Sequence, residues 1–149
     1  MTHSTRTYFQ DEVLSASPLR LVCLLYQGAI SEIRDARRNL AGGNVQARSA
    51  SISKACDILS ELTLSLDVGT GGELAANLGG LYAYAITRLL DANLNRADGP
   101  LAEVLGLLIT LQEGWTELAA AEARPVETVP ATHLFAGQNL ESCAHSWSF

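Results

Sequence analysis

Cysteine is scarce in this 149-residue chain, and its few copies are scattered. Cys23, Cys56 and Cys143 are too few and too far apart for a disulfide framework or a zinc site. Cys23 and Cys56 fall within apolar stretches, where cysteine usually serves as a small buried hydrophobe. This usage fits a reducing compartment, and we expect the protein to lie in the cytoplasm.

Charge of either sign is also low, and basic residues are outnumbered. Charged residues make up 17% of the chain, which carries a formal charge of −6. Nucleic-acid and anionic-membrane surfaces need a basic patch, so we expect neither partner. The N-terminus lacks the apolar segment of a signal peptide, and no run reaches the roughly 18 apolar residues of a membrane helix. We therefore expect no leader and no membrane insertion.

Motifs for chemistry are missing as well. The three histidines, His3, His133 and His145, all lie outside the helices predicted below, and no Glu-x-x-His motif occurs. A di-iron helical bundle needs such motifs facing inward. The glycines at 69–72 follow a helix and lack the lysine of a phosphate-binding loop. We predict no catalytic, cofactor or metal site, which leaves a bundle enzyme as the weakest hypothesis.

What the chain has in quantity is apolar residues, at 48%, spaced by three and four. This spacing is typical of helices with one buried face. It predicts four helices, at about 18–40, 45–67, 71–95 and 100–123. Connections of about 3–5 residues make consecutive helices antiparallel. We predict an all-α, antiparallel four-helix bundle over residues 17–124, with an N-terminal arm (1–16) and a C-terminal tail (125–149) that is loose or forms one short helix.

Local signals mark where these helices begin and end. Ser17 is a good N-cap with Pro18 at the first helical position, and Asn44 is placed to cap the second helix. Thr70 and Glu73 have the spacing of a capping box for the third helix. A glycine after Ala41 is expected to take the left-handed conformation that ends the first helix.

Each predicted helix has one apolar row that we assign to the core. The four rows are Leu19, Val22, Leu25, Ala29, Ile33, Ala36 and Leu40; Val45, Ile52, Ala55, Leu59, Leu62 and Leu66; Leu74, Leu78, Leu81, Ala85, Leu89 and Ala92; and Leu101, Leu105, Leu108, Leu111, Trp115 and Leu118. The first helix also opens with six apolar residues in succession, 21–26. That stretch is either buried on several sides or receives something.

Further apolar residues lie outside these rows. They include Leu21, Leu24, Ile30, Ile58, Leu64, Tyr82, Ile86, Leu90, Leu94 and Leu107. In the third helix, Tyr82, Ile86, Leu90 and Leu94 are spaced by four and drift around the helix by about 40° per step. Two interpretations stay open: a wide core edge covered by the two tails, or a groove for an amphipathic helix or extended segment of another protein.

Several short motifs together resemble the FliS family of flagellin-specific export chaperones. The resemblance is carried, in order, by Tyr8, Ser15–Pro18, Leu24–Ile30, Lys54–Ala55, Ile58–Leu62, Leu66–Asp67, Gly71–Leu74, Leu78, Leu81–Tyr84, Arg88–Leu89, Ala92–Asn93, Leu101–Val104, Leu111 and Trp115. It covers about three quarters of the chain. Gln27 departs from it, since the family most often has Asp there, and the tail after Pro125 lies outside it.

The resemblance implies a four-helix bundle that is not an enzyme. It implies a cytosolic chaperone that binds the disordered C-terminal segment of flagellin, prevents premature polymerisation and aids delivery to the flagellar type III export apparatus. The candidate binding residues are nine of the ten apolar residues named above, all except Leu64. The resemblance adds Tyr8 of the arm to them. The alternative is a helical chaperone or adaptor for another secreted or regulatory protein. Exposed apolar rows would also allow a homodimer when no partner is bound.

Overall fold

The computed structural model describes residues 17–122. Within that range the chain forms four helices and no strand: α1 (Pro18–Ala41), α2 (Val45–Ser65), α3 (Val68–Asn95) and α4 (Asp98–Glu122). α1 packs against α2 and α4, and α3 packs against the same two helices, so α1 and α3 lie diagonally opposite. The predicted all-α four-helix bundle is confirmed. The predicted arm and tail lie outside the described residues.

The first two helices begin where local chemistry predicts. The Ser17 hydroxyl accepts a hydrogen bond from the backbone N–H of Arg20 at 3.2 Å, and the Asn44 side chain accepts one from the N–H of Ala47 at 3.1 Å. These side chains satisfy amide groups that have no partner inside the helix. Gly43 has φ of 74° in the turn after α1, as the glycine signal predicts.

The expected capping box at Thr70 is wrong, because α3 begins earlier and Asp67 caps it. The Asp67 carboxylate accepts hydrogen bonds from the backbone N–H of Thr70 at 3.1 Å and from its hydroxyl at 2.9 Å. The helix is then interrupted at Gly72, which has φ of 57° and ψ of −135°. Glycine reaches this conformation without the steric clash that a Cβ would bring. Two local start signals therefore compete, and the first one in the chain caps the helix.

The core runs the length of the bundle and is almost entirely apolar. Its largest fully buried side chains are Tyr26, Tyr82, Ile33, Ile52, Leu59, Leu62, Leu89, Leu101, Leu108, Val22 and Val104. The predicted core row of α4 is buried or half-buried throughout. Val45, expected in the core row of α2, is exposed instead, because it is the first residue of the helix, beside a turn.

The core row of α3 differs from the predicted one by one position at two places. Ala75 and Tyr82 are buried, whereas Leu74 and Leu81 are exposed. The Tyr82 hydroxyl lies in the core, 2.5 Å from that of Tyr26 on the diagonal helix. Turning Leu81 inward would remove Tyr82 from this hydrogen bond. The polar end of a tyrosine thus sets the rotation of α3.

Candidate partner-binding site

Accessible apolar side chains of the described chain are concentrated on α3. Of the large hydrophobic residues that are exposed, most belong to this helix: Leu74, Leu81, Tyr84, Leu90 and Leu94, with Val45 and Leu64 on α2. The five residues of α3 in this set fall on two edges of that helix, one beside α2 and one beside α4. The two edges differ in what surrounds them.

The edge beside α2 carries Ile86, Leu90 and Leu94. Asn93 fixes the direction of this edge, because its side-chain oxygen accepts hydrogen bonds from Arg48 Nε at 3.0 Å and Ser49 Oγ at 3.1 Å on α2. Ile86 lies seven residues before Asn93, hence on the same face. The next two residues of the row turn outward: Leu90 is 54% exposed and Leu94 is 81% exposed. The row formed by Ile86, Leu90 and Leu94 therefore begins half-buried beside the core and ends exposed to solvent.

The opposing edge of α2 consists of short side chains. Ser49, Ser53, Cys56 and Ser60 follow one another at steps of three and four, and Leu64 continues the series. The Ser60 hydroxyl donates to the carbonyl of Cys56 at 3.0 Å, so it is satisfied within its own helix. Burial raises the pKa of the Cys56 thiol to about 11, which keeps it uncharged at neutral pH. The side chains of this edge are short and carry no charge of their own, and the nearby carboxylate of Asp57 adds to the rise in the Cys56 pKa.

We call these two edges together the α2–α3 surface, formed by Ser53, Cys56, Ser60, Leu64, Ile86, Leu90 and Leu94. Long apolar side chains on α3 stand beside short ones on α2, which gives a shallow apolar strip along the bundle. Charged groups are absent from this set of residues. Such a strip suits the apolar face of an amphipathic segment.

The edge of α3 beside α4 is occupied by a polar network. Glu103 accepts hydrogen bonds from Arg88 Nε at 2.6 Å and from the Tyr84 hydroxyl at 2.9 Å. The Arg88 guanidinium, and then the Tyr84 hydroxyl, hold the pKa of the Glu103 carboxyl below its usual range. A partner covering this edge would have to desolvate an ion pair, which is unfavourable unless new polar contacts replace the water.

The structure buries four residues that were expected to form an accessible surface. Leu21, Leu24, Ile30 and Tyr82 are all buried, so the structure does not present them on an open surface, and their part in binding stays a prediction. Ile30 and Tyr82 belong to the core cluster, whereas Leu21 and Leu24 lie outside it. Of the two interpretations of the apolar run at 21–26, burial on several sides is the one that the structure supports.

The remaining expected residues divide between half-buried and exposed. Ile58, Ile86 and Leu107 are half-buried, and Leu90 and Leu94 are exposed. Ile58 packs beside Gly28, where an added Cβ would lie 3.3 Å from its Cδ1 atom; the missing side chain lets α1 and α2 approach closely. Tyr8 lies outside the described residues. Their part in binding stays a prediction.

Sequence reasoning left Leu64 out of the candidate set, although it is the second most exposed large hydrophobic residue. A signal for it was present, because Leu64 follows Ser60 by four residues on the edge of α2 that faces α3. The exposure of Leu74 and Leu81 was also not predicted, since both were assigned to the core row.

Groups for chemistry do not come together in the part of the chain between residues 17 and 122. No three His, Cys, Asp or Glu side chains there are placed to hold a metal ion. None of the four helices described is long and apolar enough to cross a membrane. The α2–α3 surface is instead suited to binding an apolar segment.

Comparisons with known proteins agree with this interpretation. Residues 1–122 match the family described as "Flagellar protein FliS". The chain is 41% identical over 111 residues to the flagellar secretion chaperone FliS of Salmonella typhimurium, a match that covers 74% of this chain and 82% of that protein. It is 38% identical over 106 residues to the flagellar secretion chaperone FliSB of Pseudomonas aeruginosa, covering 71% and 84%. The FliS of Bacillus subtilis is 31% identical over 117 residues, covering 78% and 86%.

Proposed function

The chain belongs to the FliS family of flagellar secretion chaperones, and on that premise we propose that its client is the C-terminal segment of flagellin. Acting in the cytoplasm, it binds this segment, prevents premature polymerisation and aids delivery to the flagellar type III export apparatus. The observation that carries the proposal is the exposure of Leu90 and Leu94, one helical turn apart, on a strip whose own residues carry no charge.

The α2–α3 surface is the part of the bundle that we assign to the client. An amphipathic helix can place apolar residues at i and i+4 against Leu90 and Leu94, while its backbone approaches the short side chains of Ser53, Cys56 and Ser60. The hydroxyl of Ser60 already has an acceptor within α2, so covering it adds no unpaired donor. The neighbouring α3–α4 edge is less suited because of its ion pair.

The energetics of such a site favour reversible binding. Burial of an exposed leucine stabilises a complex by about 1.5–3 kcal/mol when it is complete. Ordering a disordered client costs about 2–5 kcal/mol, which offsets part of that gain. A client bound through a few leucines along one strip is therefore protected and still released at export. Tyr8 stays a candidate contact from the arm.

Binding can be tested with two leucine variants on opposite sides of α3, because sixteen residues separate Leu74 from Leu90 and place them about 160° apart around the helix. Leu90 and Leu74 are the same residue type, and both are 54% exposed. We expect Leu90→Asp to weaken binding of the flagellin C-terminal segment at least tenfold, since it places a charge on the apolar strip. Leu74→Asp, the matched control, is expected to change affinity less than threefold. Circular dichroism establishes that both variants are folded.

Two results would contradict the proposed site or client. Equal affinities of Leu90→Asp and Leu74→Asp for the segment would remove the α2–α3 surface as its binding site. Failure of the folded wild-type protein to bind the segment would exclude flagellin as the client. If Leu90→Asp instead turned a dimer of the free protein into a monomer, the strip would also be the contact between two copies.

A further inference from the structure

A second surface of the bundle, between α1 and α4, differs in character from the apolar strip. Two concavities lie there, of about 540 Å³ and about 500 Å³. The first is lined by Arg34, Arg37, Arg38, Leu40, Ala41 and Asp98, and the second by Gln27, Ile30, Ser31, Arg34, Arg38 and Gln112. Arg34 and Arg38 line both, so the two concavities adjoin, and we call them together the arginine cleft.

The cleft concentrates positive charge in an acidic protein. Arg34, Arg37 and Arg38 are three of only ten lysine and arginine residues in a chain of formal charge −6. Arg37 is committed to the fold: its Nε and Nη2 atoms donate to the Asp98 carboxylate at 2.8 and 2.9 Å, which ties the end of α1 to the start of α4. This pairing accounts for one arginine of the three.

The other two arginines have guanidinium groups open to solvent. Arg38 donates to Asp35 one turn earlier in α1, and its side chain is 76% exposed. Arg34 is exposed, and no carboxylate within residues 17–122 forms an ion pair with it. At i and i+4 of one helix they are about 6 Å apart along the axis. Neutral polar side chains, Gln27, Ser31 and Gln112, continue the cleft beside them.

We infer that the arginine cleft is a second docking surface, which takes an acidic segment of a partner protein other than the client of the α2–α3 surface. Two carboxylates at i and i+2 of an extended segment are about 7 Å apart, which matches the spacing of Arg34 and Arg38. The cleft spans Gln27 to Ala41, about 21 Å of helix, which is room for about six extended residues.

The composition of the cleft favours a protein over a nucleic acid. Asp98 pairs with Arg37 and Asp35 pairs with Arg38, so the positive charge of the cleft is not the continuous basic stripe that a row of phosphates requires. The lining also includes Leu40, Ala41 and Ile30, which suit the apolar side chains between the carboxylates of a peptide. The inference does not depend on the identity of the client, because the cleft and the strip share no residue.

Charge reversal in the cleft provides the test. The probe is a fluorescently labelled peptide of alternating glutamate and alanine, with the corresponding glutamine–alanine peptide as the uncharged control. We expect the full-length protein to bind the glutamate peptide, and Arg34→Glu/Arg38→Glu to weaken binding about tenfold, as expected for two exposed ion pairs. Lys54→Glu, an exposed lysine on α2, is the matched control and is expected to change affinity less than twofold.

A milder variant separates charge from folding. Arg34→Gln/Arg38→Gln removes the same two charges without adding acidic groups and should weaken the glutamate peptide in the same direction. Equal binding of the glutamine peptide, or an equal effect of Lys54→Glu, would overturn the inference. Tighter binding of a single-stranded oligonucleotide of the same charge, lost in the arginine variants, would overturn the assignment to a protein partner.

Discussion

The hydroxyl oxygens of Tyr26 and Tyr82 lie 2.5 Å apart in the core of the bundle and join α1 and α3, which are diagonally opposite. The tyrosine rings meet edge to face, with centroids 6.2 Å apart, and Trp115 of α4 packs on Tyr26 with centroids 6.4 Å apart. Burial raises the pKa of both hydroxyls, which therefore stay protonated at all ordinary pH values. One polar contact thus sets the mutual rotation of α1 and α3.

Removing the hydroxyl of Tyr26 and removing that of Tyr82 should lower the free energy of unfolding by different amounts. The Tyr26 side chain also contacts Trp115, whereas the Tyr82 hydroxyl has the Tyr26 hydroxyl as its partner. Tyr82→Phe leaves the Tyr26 hydroxyl with one remaining contact and is expected to cost about 1 kcal/mol of unfolding free energy. Tyr26→Phe leaves the buried Tyr82 hydroxyl without its partner and also changes the contact with Trp115, so it should cost more, about 2–3 kcal/mol. Urea unfolding measures both, and a larger loss in Tyr82→Phe would contradict this account.

This contact also explains where sequence reasoning about α3 stopped. The apolar pattern of α3 permits a row through Leu81 or one through Tyr82, because both rows share Leu78, Ala85 and Leu89. Leucine is more hydrophobic than tyrosine, so the pattern alone favours the row through Leu81. The choice is made by a hydroxyl 56 positions away in the chain, and periodicity within a single helix carries no information about such a partner.

The fold itself was more predictable than the surface. Caps at Ser17 and Asn44 are local chemistry, and the four apolar rows are local periodicity, so helix number and order follow from them. Exposure depends on what covers each residue. Leu24 and Leu90 both lie outside the predicted core rows, yet Leu24 is buried and Leu90 is exposed. The candidate site could therefore be located only from the tertiary structure, which shows which apolar residues are exposed.

Two glycines of α3 should respond in opposite directions to alanine. Gly80 lies inside the helix, and a Cβ there would meet no atom within 4 Å. Gly80→Ala should raise the unfolding free energy by about 0.5–1 kcal/mol through helix propensity. Gly72 has φ of +57°, so Gly72→Ala should lower it by about 1 kcal/mol or more. Thermal unfolding compares them, and a stabilising Gly72→Ala would show that the break in α3 is not required.

The ion pair of Arg37 and Asp98 should make a pH-dependent contribution to stability. The Arg37 side chain, chiefly by hydrogen bonding, lowers the pKa of the Asp98 carboxyl below its ordinary value near 3.8. A lowered folded-state pKa gives stabilisation that is complete above the unfolded-state value and lost as the pH falls through the folded-state value.

We therefore compare the wild-type protein with Arg37→Gln by urea unfolding at several pH values. The gap in unfolding free energy should be constant between about pH 5 and 7 and shrink below about pH 4. It should be small and salt-sensitive, because both side chains are substantially exposed. A gap that widened in acid would contradict the assigned pairing.

The central claim is that this bundle binds the C-terminal segment of flagellin, and calorimetric titration tests it most directly. The titrant is the last ~50 residues of flagellin from the same organism, a length suited to an interface of ordinary size or larger. We predict one-to-one binding with a large negative heat-capacity change, accompanied by a gain in helicity in circular dichroism, as expected when a disordered segment folds on an apolar surface. Absence of heat and of any spectral change, with the protein shown to be folded, would contradict the claim.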